Sequence, residues 1–132
     1  MQRRMSQFVA GILIAAGGLI HLRLWANGYR YVNHSDLAML ANFAAAGLVA
    51  VALATVDRWQ VHLAAAGIAA GSLVAFSLSR TNLGLLGFHE RGWQPRPEAA
   101  LAIVLEVAAG LGAATLLLTS ERSMARSAGA HI

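Results

Sequence analysis

Four apolar stretches fill almost all of this chain, and each is close to the length that crosses a bilayer. They run over residues 7–25, 37–56, 61–79 and 97–119. A hydrocarbon core of about 30 Å needs about 20 helical residues at 1.5 Å each. Lipid offers no partner to a bare N–H or C=O, so segments of this length and composition must be helices. The expected fold is all-α: a polytopic membrane protein built as an antiparallel four-transmembrane-helix bundle, one domain over residues 1–119. The remainder, residues 120–132, is polar and small and reads as a flexible tail.

Composition points the same way. The chain is 58% hydrophobic and 12% charged, whereas a soluble domain carries about 25% charged residues. Too little polar surface remains to cover a globule in water. There is no cysteine, which removes thiol redox chemistry, disulfides and cysteine-held zinc or iron–sulfur centres. All ten basic residues are Arg and the net charge is +4. These arginines flank apolar spans, so they read as headgroup anchors and not as a nucleic-acid surface. The all-Arg usage suits a GC-rich genome, and the expected location is a bacterial plasma membrane.

Local signals set the expected boundaries. Arg3 and Arg4 resemble the start of a signal peptide, but the apolar run that follows is too long and Ala26, Asn27 and Gly28 make a poor cleavage site. The first span is therefore expected to be retained, with Ser6 as its N-cap. Ser35 or Asp36 caps the second span, which Asp57 and Arg58 close. Pro97 and Glu98 open the fourth, with an acid in the first turn to complement the helix dipole. The 2–3 connection is tight. The 1–2 and 3–4 connections are longer and fall on one side. Counting Arg23 and Arg80 as helix ends leaves five arginines on the terminal side against three, which puts both termini in the cytoplasm.

Small residues are dense: Ala44, Ala45, Ala46 and Gly47, then Ala64, Ala65, Ala66 and Gly67, with Gly67 and Gly71 as a G-x-x-x-G pair. In lipid, close packing joins helices, and small residues permit it. Packing inside the bundle is the expected use; docking on a partner or a second copy is the alternative.

The polar interruptions carry the functional signal. Glu106 lies roughly 13 Å into the fourth helix, on a face with Ala99, Ala102, Ala109, Gly110 and Ala113. A buried acid there is either a polar pin between helices or a ligand or proton contact. His21 shares a face with Gly17 and Gly18 and is a candidate partner for Glu106. Arg23 points elsewhere and suits headgroups. Asn42 lies roughly 9 Å into the second helix and needs a hydrogen-bonding partner. Arg80 ends the third span, as an interface anchor or as counter-ion to Glu106. In this topology His21, Asn42, Arg80 and Glu106 fall in the same leaflet and make one candidate ligand or proton site.

Two other chemistries fit poorly. Haem held by His21 and His62 would need both at one depth, yet they sit near opposite ends, about 20 Å apart. His34, His89, Glu90 and Glu98 are metal-ligand types without a recognisable spacing, so no metal is expected.

Ile20, His21, Leu22, Arg23, Leu24 and Trp25, followed by Gly28, Tyr29 and Arg30 and then Leu40, Ala41 and Asn42, resemble small four-helix membrane proteins of actinobacterial type that are loosely DoxX-like. Leu78, Ser79, Arg80 and Thr81, then Gly84, Gly87, Trp93, Gln94 and Pro95, resemble their third-helix end and connector. Glu106 matches their fourth-helix acid. The connector from Tyr31 to Asp36 departs from the Ile-Pro and glycine of that pattern. The resemblance implies the four-helix membrane fold. Some DoxX relatives are small subunits of quinone-linked oxidoreductases, which makes a quinone the one cofactor it suggests.

Three functions are compatible with these features. The first is an accessory subunit, not catalytic by itself, that docks on a larger membrane complex or a second copy. The second is a quinone-interacting module in which His21 and Arg80 donate hydrogen bonds and Glu106 handles protons. The third is a small proton-coupled transporter or lipid-binding protein.

Overall fold

Nothing between residues 2 and 26 breaks a helix, and α1 runs the whole way, Gln2–Ala26. It is followed by α2 (Ser35–Thr55), α3 (Trp59–Leu78) and α4 (Glu98–Gly129). The computed structural model describes residues 2–32, 35–85 and 87–129, with side chains as far as Ser120. All four helices are long and apolar enough to cross a membrane.

The boundaries differ from the sequence expectation where propensity outlasts hydropathy. α1 begins at Gln2 because Gln, Arg and Met favour a helix as well as the apolar run does. Ser6 is consequently not a cap; its hydroxyl donates back to Gln2 O at 3.1 Å. The apolar part of α4 ends at Ser120, yet the helix continues to Gly129 through Glu121, Arg122, Met124 and Ala125, all good helix formers. Ala130, His131 and Ile132 lie outside the described residues. α2 opens at Ser35 with Asp36 in its first turn, and α4 opens directly after Pro97 on Glu98.

Small residues set the packing. A Cβ on Gly18 would lie 2.7 Å from Ala46 Cβ, and one on Gly11 would lie 3.3 Å from Ala50 O. These contacts pair α1 with α2 in antiparallel sense. Gly17 meets Glu106 and Gly112 meets Ala10, which pairs α1 with α4. Gly110 meets Ala69 and pairs α4 with α3, while Asn42 reaches Ser72 to close α2 on α3. The helices thus form a ring of antiparallel neighbours in the order α2, α1, α4, α3. The interior is mostly alanine: Ala10, Ala46, Ala65, Ala69, Ala109 and Ala113 are each 1% exposed or less, joined by Ile14, Leu53 and Leu116.

One expectation is overturned. Gly67 and Gly71 do not pack inside the ring; both are exposed, and a Cβ on either would meet nothing within 4 Å. α3 is apolar on every face, so sequence periodicity could not tell which small-residue stripe turns inward.

Two long connections meet at one end. The described residues between α1 and α2 carry a 3-10 turn, Tyr29–Tyr31, and residues 79–97 link α3 to α4. The opposite end has the short turn 56–58.

Gly18→Leu should force α1 off α2 and lower stability by about 2 kcal/mol through overpacking. Gly47→Leu, where a new side chain has open space, should leave it unchanged. Thermal unfolding followed by circular dichroism in detergent reads the difference.

Candidate functional site

Glu106 sits where all four helices come together. Its side chain is buried, with the residue 3% exposed. A Cβ on Gly17 would fall 3.1 Å from Glu106 Oε1, so the carboxyl rests against the α1 backbone. From α3, Ser72 lines the same cavity as Glu106. From α2, Asn42 Nδ2 donates to Ser72 Oγ at 2.8 Å. That donation occupies a Ser72 lone pair and leaves its O–H free to turn toward the carboxyl. Asn42, Ser72 and Glu106 therefore bring polar side chains of three helices together, with the α1 backbone at Gly17 against the carboxyl.

His21 lies one turn beyond Gly17 on α1. Its Nδ1 is 2.9 Å from Gly17 O. A carbonyl only accepts, so Nδ1 carries the hydrogen and Nε2 of the neutral ring keeps a lone pair.

Arg80 is used differently from either expectation. It follows α3, and its guanidinium folds the 3–4 connection. Nε donates to Gly92 O at 2.6 Å and Nη2 to Gln94 O at 2.7 Å. Nη1 donates to Phe76 O at 3.0 Å and Ser79 Oγ at 2.8 Å. The guanidinium also lies 3.4 Å over the Phe76 ring. Arg80 is a clamp on the loop and not the counter-ion of Glu106. Burial draws its pKa below the usual arginine range, and the Glu90 carboxylate opposes that shift.

The connections interlock above this clamp. The Tyr29 hydroxyl donates to Glu90 Oε1, and the Tyr29 ring stands edge-on to Phe88 at 5.5 Å between centroids. Glu90 N donates to Ser79 O at 2.8 Å. Burial first, and then the bond and charge of Glu90, push the Tyr29 phenol up, which keeps it a donor. At Gly84, φ is +67° and a Cβ would meet the His89 ring and Phe88 O at 2.7 Å; glycine alone fits that bend.

Between the helix ends and these connections lies a cavity of about 110 Å³. Glu106, His21 and Ser72 line it on the helix side, and Arg80, Tyr29 and Glu90 on the loop side. Its walls are apolar, among them Leu24, Met39, Phe76 and Ile103. Three of the four sequence candidates thus border one cavity, and the fourth, Asn42, holds Ser72 in its lining. Tyr29 and Glu90 join the site only through the fold of the connections.

The other sequence candidates have separate partners. Arg23 Nε contacts Glu98 Oε1 at 3.2 Å, tying the end of α1 to the first turn of α4. His89 Nε2 lies 3.1 Å from Asn82 O. His34 lies outside the described residues.

A second polar cluster at the opposite end escaped the sequence reading. His62 is 0% exposed and Gln7 1% exposed. Gln7 Nε2 is 3.3 Å from His62 Nε2, and Ser120 Oγ is 3.4 Å from His62 Nδ1. An amide nitrogen only donates, so here too Nδ1 carries the hydrogen. Arg3 Nη2 reaches Ser120 Oγ at 2.6 Å and Asp57 Oδ1 at 3.0 Å. The usable signal was depth: Gln7, His62 and Ser120 all lie at or near the margin of an apolar span on the terminal side. His21 lies fourteen positions beyond Gln7 on α1, or about 21 Å, which keeps the two histidines apart.

No protein-family model, curated protein or solved structure matches this chain.

Arg80→Lys should remove the fork that grips Gly92 and Gln94, because an ammonium cannot span both carbonyls. Hydrogen exchange at the Glu90 amide should quicken while the amides of α1 near Gly11 stay protected.

Proposed function

We propose that this chain is an integral membrane protein whose four helices cross the bilayer, and that it binds a small membrane-soluble ligand in the cavity bordered by Glu106 and His21. The observation that carries the ligand reading is the buried Glu106 carboxyl facing a cavity with apolar walls. Intramembrane acids are expensive and mark sites of binding or proton handling by default.

Side-chain distribution supports the bilayer. Alanines fill the interior while Phe8, Ile12, Leu48, Val104 and Leu111 are 59–74% exposed. Water would favour the reverse arrangement; in lipid, tails cover the large residues and small ones let helices approach. Exposed hydroxyls are also satisfied within their own helices: Thr55 donates to Val51 O, Ser77 to Leu73 O and Thr115 to Leu111 O. That suits a surroundings without water.

For orientation, Arg23 lies within α1 whereas Arg80 follows α3. Five arginines (Arg3, Arg4, Arg58, Arg122 and Arg126) then stand against four (Arg30, Arg80, Arg91 and Arg96). The narrow excess favours cytoplasmic termini, and the bacterial plasma membrane remains the proposed location.

The donor set bears on the quinone variant of this reading. His21 Nδ1 and four of the five Arg80 N–H groups are already given to acceptors in the protein, which counts against the expectation that they donate to a quinone oxygen. A second reading, an accessory subunit or homo-oligomer, is favoured by the outward Gly67 and Gly71, a close-approach stripe with nothing on it.

Carbonate extraction of cell membranes should leave the protein in the pellet; release into the wash would overturn the bilayer assignment. Native mass spectrometry from lipid nanodiscs should show a small molecule on the wild type that Ala102→Phe, which fills the cavity, removes and Val104→Phe on the outer face does not. No adduct on the wild type, or one that survives Ala102→Phe, would sink the ligand reading. For the second reading, paired Gly67→Ile and Gly71→Ile should strip a co-purifying subunit or dissociate a dimer in mild detergent.

A further inference from the structure

The class of ligand follows from what the helix side of the cavity offers, a step that rests on the ligand reading above. That side is rich in acceptors and poor in donors. His21 spends Nδ1 on Gly17 O, which leaves Nε2 with a lone pair. Glu106 brings its acceptor oxygens to the cavity lining. Arg80 is the guanidinium along the cavity, and four hydrogen bonds already bind it to Phe76, Ser79, Gly92 and Gln94.

Charge narrows the choice further. Among the described residues, no cation lies within 4 Å of the Glu106 carboxyl; the arginine pairs are Arg3 with Asp57 and Arg23 with Glu98. A buried carboxylate without a cation is costly. It must hold either a proton or a cationic ligand.

We propose that the cavity takes a protonated amine with a small apolar body, its ammonium on Glu106 and His21 and its body against Leu24, Met39, Phe76 and Ile103. The ammonium supplies the donors and the positive charge that the helix side of the cavity lacks. The volume of about 110 Å³ is below the roughly 150 Å³ that houses benzene in an apolar cavity, so the enclosed part is a compact ring or branched group. The balance is an exchange: the protonated Glu106 carboxyl releases one proton as the ammonium arrives, and the site stays neutral in both states. Acid therefore weakens binding. The groups facing Glu106 do not reverse that sign. Asn42 and Ser72 are neutral, protonation of His21 would repel the ammonium, and Arg80, Tyr29 and Glu90 face the cavity from the connections.

Equilibrium dialysis of cyclopentylamine and cyclopentanol against phosphatidylcholine nanodiscs, with empty discs as the blank, tests this class. The amine should bind the wild type about tenfold more tightly than the alcohol, as a charge-assisted hydrogen bond exceeds a neutral one. Lower pH should narrow the gap, and Glu106→Gln should abolish it. Equal binding of the two would overturn the amine class and leave the cavity as a site for neutral donors. Binding of neither above the blank would overturn both readings. Should Glu106→Gln lose its helical circular dichroism, Ala102→Phe decides: amine binding that persists there lies outside the cavity and overturns the proposal.

Discussion

The approach of α1 to α4 at Gly17 is the contact on which the rest of the architecture depends. Because Gly17 has no side chain, the Glu106 carboxyl can rest on the α1 backbone. Even a methyl group there would press on the carboxyl and require it to give by a few tenths of an ångström. One turn of α1 is shared by three tasks. Gly18 admits Ala46 from α2, Gly17 admits Glu106 from α4, and the Gly17 carbonyl holds the His21 ring. With Glu106 fixed, Ser72 and Asn42 are aligned behind it, so the same contact orders α3 and α2. Glycine costs about 1 kcal/mol in a helix relative to alanine. Two in sequence at this point are tolerated because close approach returns dispersion and a packed carboxyl in exchange.

The interior is organised in layers along the helix axes. A polar layer centres on Glu106, a second on His62, and a dry section of Ala10, Ile14, Ala65, Ala69, Ala109 and Ala113 lies between them. Each polar layer draws residues from several elements, so neither is an accident of one helix. The two differ in what they leave open. The His62 layer is joined through Arg3, Gln7, Asp57 and Ser120, with Arg3 Nε and Gln7 Oε1 buried without a hydrogen-bond partner. The Glu106 layer borders a cavity, and its loop side is held by Arg80 and Tyr29.

Much of this was legible in the sequence, and the remainder has identifiable causes. Length and hydropathy fixed the number of helices, because few folds accommodate four such runs. Depth counting brought His21, Arg80 and Glu106 to one end, since rise per residue in a helix is nearly constant. The role of Arg80 was hidden, because it depends on where Gly92 and Gln94 return in an irregular connection. The outward turn of Gly67 and Gly71 was hidden for another reason: when every face is apolar, periodicity carries no direction. The His62 layer was missed because Gln7 and Ser120 stood at the margins of spans, where polar residues are ordinarily taken as ends.

The clustering of Arg3 and Gln7 with His62 and Ser120 has a consequence for biogenesis. A ribosome releases α1 before α4. Until α4 emerges, Arg3 and His62 lack Ser120, and the glycine face of α1 lacks the Glu106 that rests on it. The packing of α1 is thus completed only when α4 docks, and a chain that stops before α4 leaves the Gly17 face open and Arg3 without Ser120.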